Sequence, residues 1–230
     1  PRPGFANRIA AGASRRGAAA PSAAVVRERQ AGVPPCVAPL YAAPMLEVQP
    51  GDDTLDVLLG QDAASGTLPG VVYRLLKRIG HGGSAAAFLA MRHAPEGKSP
   101  VVLKVLRPSV VRQLGERAAL VVQKEAVSLG RLNDRVPPTP FVVRYIDAGA
   151  IPIVRAKKRL DLGWIAVEYV HGGPEGTTLT DRVTNTVVAT GTAFDPARAA
   201  LAVEHIARGL HAVHEVSVIH RDMKPDNVLV

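Results

Sequence analysis

The chain has 230 residues, of which 47% are hydrophobic and 21% are charged, a composition typical of a globular protein with at least one apolar core. Its single cysteine, Cys36, excludes an internal disulfide framework and favours a reducing compartment, by default the cytoplasm. Uninterrupted apolar runs fall well short of the about 18 residues that a bilayer-spanning helix needs, so no membrane segment is predicted in this chain.

The formal net charge of +8 invites a nucleic-acid interpretation, because clustered Lys and Arg attract phosphate backbones. The cations are instead spread along a tail or crowded into one short segment: Arg2, Arg8, Arg15, Arg16, Arg27 and Arg29 in the tail, and Arg155, Lys157, Lys158 and Arg159 in the segment. Neither aromatic interleaving nor zinc-ligand spacing accompanies them. We interpret the charge as solvated surface and predict no nucleic-acid partner.

Residues 1–68 are rich in Ala, Pro, Gly and Arg and show no periodic apolar face. Such a stretch buries too little apolar surface to offset the entropy lost on ordering, so we predict a mostly disordered extension. Within it, the short apolar patch at residues 55–59 is compatible with one helical turn that docks on the following domain. Regular structure is predicted to begin near Val71.

Three strand-like segments follow in series and predict a meander. The first covers residues 71–79 and continues into the glycine-rich turn at residues 80–84. The second covers residues 86–90, and the third, residues 101–106, comes after a Pro/Gly turn.

A helical pattern lies between residues 110 and 132, with Glu125 in its middle, and the prolines at 137–140 end it. The residues assigned to its apolar side are Leu120, Val121, Lys124, Val127, Leu129 and Leu132. Two more strands are predicted at residues 141–147 and 162–169, joined through the basic hairpin. The first part of the domain is therefore α+β, with five strands and one helix.

A glycine-rich segment at residues 171–176 leads to a short helix predicted around residues 179–183. A longer helix begins at Asp195-Pro196, since Asp is a preferred N-cap and Pro is preferred at the first helical position. Its apolar stripe is formed by residues that recur at helical spacing: Ala199, Val203, Ile206, Leu210 and Val213.

Two of these elements offer groups for a phosphate ligand. Glycines between two strands, as at residues 80–83, let backbone N–H groups approach phosphate oxygens, although a simple tight hairpin explains the same pattern. Lys104 lies 24 residues after Gly80 in an apolar strand, where a lone lysine more often extends to solvent at the edge. Glu125 offers a carboxylate that would pair with an inward-facing Lys104 and offset its desolvation.

The segment His220-Arg-Asp-Met-Lys-Pro-Asp-Asn227 carries the clearest chemical pattern. The Asp222 carboxylate can accept a proton from an attacking hydroxyl, the Lys224 ammonium can neutralise a transferring phosphoryl group, and the Asn227 amide oxygen can bind Mg²⁺. All three are presented by a loop after the long predicted helix.

Taken together, these motifs resemble a eukaryotic-type (Hanks-type) Ser/Thr protein kinase, in a style close to the bacterial members. The glycine-rich loop, the strand lysine, the helix glutamate, the hinge at residues 168–170 and the loop at 220–227 occur in family order. Lys224 after Asp222 is similar to the Ser/Thr branch rather than the tyrosine branch. His220-Arg221 differs from the aminoglycoside phosphotransferases, which usually have Gly before the Asp.

The resemblance covers residues 73–230 and implies a protein-kinase-like bilobal fold. Residues 69–170 would form a complete five-stranded N-lobe with one helix, and residues 171–230 the hinge and only the first part of the helical C-lobe. Residues 1–68 have no family counterpart. The implied activity is transfer of the γ-phosphoryl group of Mg-ATP to Ser or Thr hydroxyls of proteins.

The family also implies roles for individual residues. Asp222 would orient and deprotonate the substrate hydroxyl, and Lys224 would steady the γ-phosphoryl group. Lys104, paired with Glu125, would hold the α- and β-phosphates, and Asn227 would bind one Mg²⁺. The implied nucleotide-contacting positions are Ile79, Gly80, His81, Gly82, Gly83, Ala87, Val102, Lys104, Val167, Glu168, Val170 and Asn227.

The adenine pocket implied by the resemblance has one unusual pair. Val167 would guard its back, and Glu168 and Val170 would meet the adenine edge through backbone groups. The family usually has valine at the position of Ala87 and alanine at the position of Val102. We interpret the exchange as a swap that keeps the volume of the pocket roughly constant.

The family's next element carries Asp-Phe-Gly, whose aspartate is the principal Mg²⁺ ligand, whereas only Val228-Leu229-Val230 follow Asn227 here. We therefore expect this chain to be a fragment that has no useful turnover by itself, with an ordered N-lobe and a loosely packed helical part. The alternative is a non-catalytic nucleotide-binding or pseudokinase scaffold module. Intact Lys104, Asp222 and Asn227 favour the enzyme.

Overall fold

The structure is a computed structural model that describes residues 46–48, 55–135, 137–192 and 194–230. Most of the predicted N-terminal extension, residues 1–45 and 49–54, lies outside the described residues. Within the described ranges the strands of a mixed sheet are interrupted by two α-helices between the fifth and sixth strands and are followed by two further α-helices. None of the helices in these ranges combines the length and the hydropathy that crossing a bilayer would require.

Seven strands form one sheet in the order β1-β6-β7-β5-β4-β3-β2. Their bounds are β1 Leu46–Val48, β2 Asp62–Ala64, β3 Val72–His81, β4 Ala85–Ala94, β5 Gly97–Leu106, β6 Tyr145–Arg155 and β7 Lys158–Glu168. All neighbours are antiparallel except β1 and β6, which run parallel. The predicted meander corresponds to β3–β5, and the predicted pairing of the last two strands to β6 and β7; the fourth strand was predicted too early, since 141–147 shares only residues 145–147 with β6.

Regular structure begins earlier than the sequence analysis predicted. β1 and β2 belong to the stretch assigned to the extension, and Leu55, Leu58 and Ala63 are buried in the core of the sheet. The predicted turn within residues 55–59 is present as a 3-10 turn at Asp56–Leu58. The prediction of disorder was wrong for residues 55–68, because Leu55, Leu58 and Ala63 are buried in a core formed with strands that come later in the chain.

The segment after β2 also joins the two ends of the sheet. The Gly66 amide donates to the Ala148 carbonyl of β6 at 3.1 Å. The hydroxyls of Ser65, Thr67 and Tyr73 donate to the Asp147 carboxylate at 2.5, 2.7 and 2.9 Å. Since β2 is at one edge of the sheet and β6 lies next to the other, these bonds curl the sheet into a barrel-like lobe around its core.

Asp147 is fully buried, and its carboxylate also accepts from the Ala148 amide at 2.8 Å. Four donors thus surround one carboxylate, which is how a buried charged group avoids an uncompensated desolvation penalty. Burial and the neighbouring Asp147 charge raise the pKa of Tyr73 far above its ordinary range, so its hydroxyl remains a proton donor.

The predicted single helix is two helices, α1 Pro108–Leu114 and α2 Arg117–Asn133. Gly115 ends α1 with a φ of 55°, a left-handed conformation that glycine adopts at little cost. The stripe of α2 that faces the sheet contains Ala118, Val122 and Leu132, all buried or packed on the core.

The predicted apolar face of α2 was wrong for Leu120, Val121 and Val127, which are exposed, whereas Leu132 is buried as predicted. Alternating steps of four and three residues lead from Ala118 through Val122 to Glu125, so Glu125 lies on the stripe that faces the sheet. Because Glu125 is charged, the sequence pattern did not identify its side of α2 as the side that faces the sheet.

The helical part begins with α3, Leu179–Thr190, which is longer than predicted and starts with a capping box between Thr178 and Asp181. The next helix, α4, spans Pro196–Glu215, and the Asp195 side chain accepts from the first free amides, as predicted. Of its predicted stripe, Val213 is buried, while Val203 is 63% exposed.

Helix α4 is attached to the connection that precedes β6. A Cβ on Gly209 would lie 2.9 Å from the carbonyl oxygen of Phe141, so a glycine allows this close approach. Arg135 forms an ion pair with Glu215, and the Arg208 guanidinium lies 5.8 Å from the Phe141 ring centroid. These contacts fix the C-terminal half of α4 to the connection between α2 and β6.

Candidate active site

One face of the sheet brings the predicted nucleotide-contacting residues together. Across the strands Gly80 pairs with Ala87, Ala87 with Lys104, and Lys104 with Ile165. The adjacent row, two residues further along each strand, pairs Val102 with Val167. The opposite face of the same strands carries core residues, namely Ala86, Phe88, Leu103, Val105, Trp164 and Ala166. Strand alternation therefore places Gly80, Ala87, Lys104 and the predicted adenine-pocket valines on one side.

The glycine hairpin connects β3 and β4. Gly82 donates its amide to the Ala85 carbonyl at 3.1 Å. A Cβ on Gly80 would lie 3.2 Å from Cβ of Ala87, which is closer than most side-chain contacts, whereas a Cβ on Gly83 would meet nothing within 4 Å. Packing within the lobe thus accounts for glycine at position 80 and leaves glycine at position 83 unexplained.

Two other predicted nucleotide-contacting residues, His81 and Ile79, do not follow the register that places Gly80 and Lys104 on one face of the sheet. His81 pairs with Ala86, a core-face residue, so its side chain leaves the sheet on the side opposite to Gly80. Ile79 falls within the register shift between Arg78 and Gly80 and is about half exposed.

Lys104 and Glu125 meet across the space between β5 and α2. The Lys104 Nζ atom lies 3.7 Å from Oε1 of Glu125, and each side chain is 46% exposed. An ion pair this open to solvent contributes little to stability, about 0–1 kcal/mol. The sequence analysis expected a more deeply buried pair, and the exposure leaves the ammonium accessible to a ligand on the glycine face.

The loop after α4 presents the second group of predicted residues. The Asn227 side-chain amide donates to Oδ2 of Asp222 at 2.9 Å and to the Asp222 backbone carbonyl at 2.8 Å. The Lys224 Nζ atom lies 3.4 Å from the same Oδ2. Arg221 has a φ of 63°, a left-handed conformation that turns the backbone just before Asp222. All three predicted loop residues are therefore in contact with one another.

These contacts determine the electrostatics of Asp222. The hydrogen bond from Asn227, then the hydrogen bond and charge of Lys224, lower the pKa of Asp222 below its ordinary value. The carboxylate is exposed and ionised at neutral pH, as a proton acceptor must be. Both bonds made by Asn227 use its amide nitrogen, so its oxygen keeps its lone pairs.

The loop is fixed to the start of α3. The Leu179 amide donates to the Val228 carbonyl at 2.8 Å, and the Val230 amide donates to the Thr177 carbonyl at 3.0 Å. Thr178 and Leu229 form an isolated antiparallel bridge between these bonds. The segment that follows Asn227 is thereby held beside the segment that follows the hinge.

Helix α2 and the loop also border a common cavity of about 630 Å³. Its lining includes Lys124 and Arg131 from α2 and Arg221 from the loop. The cavity borders the side of α2 that carries Lys124 and Arg131, and neither Glu125 nor Asp222 is among its lining residues. Within the described part of the chain, no group of three or more His, Cys, Asp or Glu side chains is arranged to hold a metal ion.

The hinge contains a contact that the sequence analysis missed. Val167 is buried, and Glu168, the last residue of β7, exchanges hydrogen bonds with Arg144. Arg144 contributes backbone atoms to this contact, so its side chain gave no signal in the sequence.

A lobe built on a curled sheet, a lysine paired with a helix glutamate, and an Asp-Lys-Asn loop define a protein-kinase-like protein. The protein kinase domain model matches residues 73–230, and the chain belongs to that family. The predicted fold class is confirmed.

The curated relatives are Ser/Thr-protein kinases of fungi and bacteria. Serine/threonine-protein kinase STE20 of Eremothecium gossypii is 28% identical over 162 residues, which cover 70% of this chain and 14% of that protein. Serine/threonine-protein kinase pkn2 of Myxococcus xanthus is 30% identical over 158 residues, which cover 69% of this chain and 16% of that protein. The chain thus spans about one sixth or less of these relatives.

Among solved structures, the kinase domain of PknI from Mycobacterium tuberculosis has the same fold. The TM-score is 0.51 at 22% identity, and the match covers 73% of this chain and 57% of that one.

Proposed function

We propose that this chain contributes the nucleotide-binding and proton-accepting groups of an ATP-dependent Ser/Thr protein kinase. The proposal is carried by the Asp222 carboxylate, which Asn227 and Lys224 hold in one orientation with a lowered pKa. Its substrates are serine and threonine hydroxyls of proteins, in keeping with Lys224 two residues after Asp222. The family and the Ser/Thr-protein kinase relatives support this class of activity.

In the proposed reaction the hydroxyl oxygen of the protein substrate forms a bond to the γ-phosphorus of ATP. The bond from that phosphorus to the β–γ bridging oxygen breaks, and ADP leaves. Asp222 orients the hydroxyl and receives its proton. Lys224, which lies beside the carboxylate, offsets negative charge on the γ-phosphoryl group as it moves.

The loop side chains also suit a magnesium ion. Asp222 and Asn227 are adjacent and offer carboxylate and amide oxygens, the donor type that Mg²⁺ prefers. Asn227 would hold the ion through its free amide oxygen. When bound, Mg²⁺ supplies positive charge beside the phosphate oxygens.

The face of the sheet supplies the rest of the nucleotide site. Lys104 binds the α- and β-phosphates, and Glu125 keeps its ammonium aimed at them. The amides around Gly83 cover the phosphates, which explains glycine at a position where packing does not require it. Ala87, Val102 and Val167 line the adenine pocket.

We also propose that the hinge near residue 170 separates two lobes and that residues 171–230 begin the second. The single cysteine supports a reducing, cytoplasmic location.

Replacing Lys104 by methionine is expected to weaken Mg-ATP binding at least about tenfold, equivalent to about 1.4 kcal/mol, because the ammonium that contacts the phosphates is lost. Isothermal titration of the chain with Mg-ATP measures the change. Lys98→Met is a matched control, since Lys98 is an exposed lysine of the same strand, six residues and about 20 Å away. Equal affinities in wild type and Lys104→Met would refute the assignment.

A further inference from the structure

The end of β7 departs from the regular pattern of hydrogen bonds at Glu168. The Glu168 amide donates to the Arg144 carbonyl at 2.9 Å, as a residue of an antiparallel ladder does. In such a ladder the opposite amide returns a bond to the backbone carbonyl of the same residue. Here the Arg144 amide donates to Oε1 of the Glu168 side chain at 2.8 Å.

The carboxylate of Glu168 therefore takes the place of its own backbone carbonyl. The Arg144 amide is satisfied by the Glu168 side chain. The Glu168 backbone carbonyl, at the end of β7, is therefore not needed as the acceptor for that amide. A backbone carbonyl that has left its ladder needs another donor, from a ligand or from water.

The position of this carbonyl points to the kind of donor. Glu168 follows Val167, which pairs with Val102 in the row next to the one that contains Lys104. Glu168 pairs with Val101, a core-side residue, so its side chain lies on the side opposite to Lys104, while its backbone continues one step beyond Val167 at the end of the glycine and lysine face. A ligand whose phosphates reach Lys104 would present its base near this edge.

We propose that the Glu168 side chain is a positioning residue for adenine recognition. By occupying the Arg144 amide, it keeps the Glu168 carbonyl available to accept a hydrogen bond from the 6-amino group of the base. The inference rests on the proposed function, because it requires a nucleotide in the cleft. The Glu168 side chain would thus favour adenine over a purine without the 6-amino group, although it makes no contact with the base.

The test compares two nucleotides in binding titrations of the chain. Mg-ATP carries the 6-amino group, and the Mg complex of purine riboside triphosphate differs only by lacking it. One hydrogen bond of about 0.5–1.5 kcal/mol corresponds to about a two- to tenfold preference of wild type for ATP. In Glu168→Ala the Arg144 amide can instead donate to the backbone carbonyl of residue 168. This variant is therefore expected to bind ATP more weakly and to lose the preference for ATP, while its affinity for the analogue is unchanged.

Two further variants sharpen the comparison. Glu168→Gln keeps an oxygen that can accept from Arg144 and is expected to retain most of the preference for ATP. Asp161→Ala removes another carboxylate of β7, one that pairs with Arg159, and is expected to leave both affinities unchanged. Thermal melting of each variant establishes that the lobe is folded.

The outcomes separate this inference from the proposed function. If wild type binds neither nucleotide, both are overturned. If wild type prefers ATP and folded Glu168→Ala keeps the same preference, the positioning role is wrong while the proposed function stands. An equal loss of affinity for both nucleotides in Glu168→Ala, or no preference in wild type, also overturns the positioning role.

Discussion

Asp222→Asn is expected to lower phosphoryl transfer by a protein that contains this chain at least about a hundredfold, while Mg-ATP affinity changes little. An amide has the shape of the carboxylate but cannot take the proton of the attacking hydroxyl, and general-base catalysis typically contributes about 10²–10⁴ in rate. Transfer of labelled γ-phosphate to serine or threonine of a protein substrate measures the effect.

Asp226→Asn is the matched control for this prediction, because Asp226 is an exposed carboxylate of the same loop. It should leave the rate close to that of wild type. Equal rates for Asp222→Asn and wild type would exclude Asp222 as the base.

The pH dependence of the phosphoryl-transfer rate tests the role of Asp222 in a second way. Since Asn227 and Lys224 lower the pKa of Asp222, removing the Lys224 ammonium with Lys224→Met should raise that pKa. The acid limb of the rate profile should then move to higher pH.

Asp147→Ala is expected to destabilise the chain by about 3–5 kcal/mol. The substitution leaves the buried Tyr73 hydroxyl without its acceptor, which costs about 1–3 kcal/mol, and removes the acceptor of the partly buried Ser65 and Thr67 bonds as well. It also releases the segment that joins the two ends of the sheet. Urea unfolding followed by the fluorescence of the single tryptophan, the fully buried Trp164, measures the loss.

Thr67→Val is the control for the size of this effect. It removes one donor at an exposed residue and keeps the carboxylate bonded to Ser65 and Tyr73, so a loss of about 1 kcal/mol is expected. If Asp147→Ala were no more destabilising than Thr67→Val, Asp147 would not be what closes the lobe.

Local patterns predicted much of the sheet. Alternating apolar residues in β4 and β5, with glycines just before β4, indicate a hairpin whatever surrounds them. The loop at 220–227 was equally visible because its reactive side chains are close in sequence. Lys104 and Glu125 could be paired because a carboxylate was available on the helix that follows the strand.

Contacts between distant segments could not be predicted in the same way. Leu55 and Ala63 lie in a stretch whose overall composition predicts disorder, yet they are buried by strands that come later in the chain. On α2 the inner stripe is interrupted by Glu125, and the exposed side also carries apolar residues such as Leu120 and Val127, so the sequence pattern did not identify the inner side. The bond between Arg144 and Glu168 involves a backbone amide that every residue possesses.

We propose that Lys104, Glu125, Asp222 and Asn227 surround one nucleotide. NMR of the isotope-labelled chain tests this arrangement. Spectra with ATP and Mn²⁺, whose unpaired electrons broaden nearby amide signals, are compared with spectra with ATP and Mg²⁺ as the diamagnetic reference. We expect broadening at Lys104, Asp222 and Asn227 together, and none at Lys157 in the tip of the β6–β7 hairpin. Broadening confined to the loop, with Lys104 unaffected at saturating ATP, would contradict a single shared site.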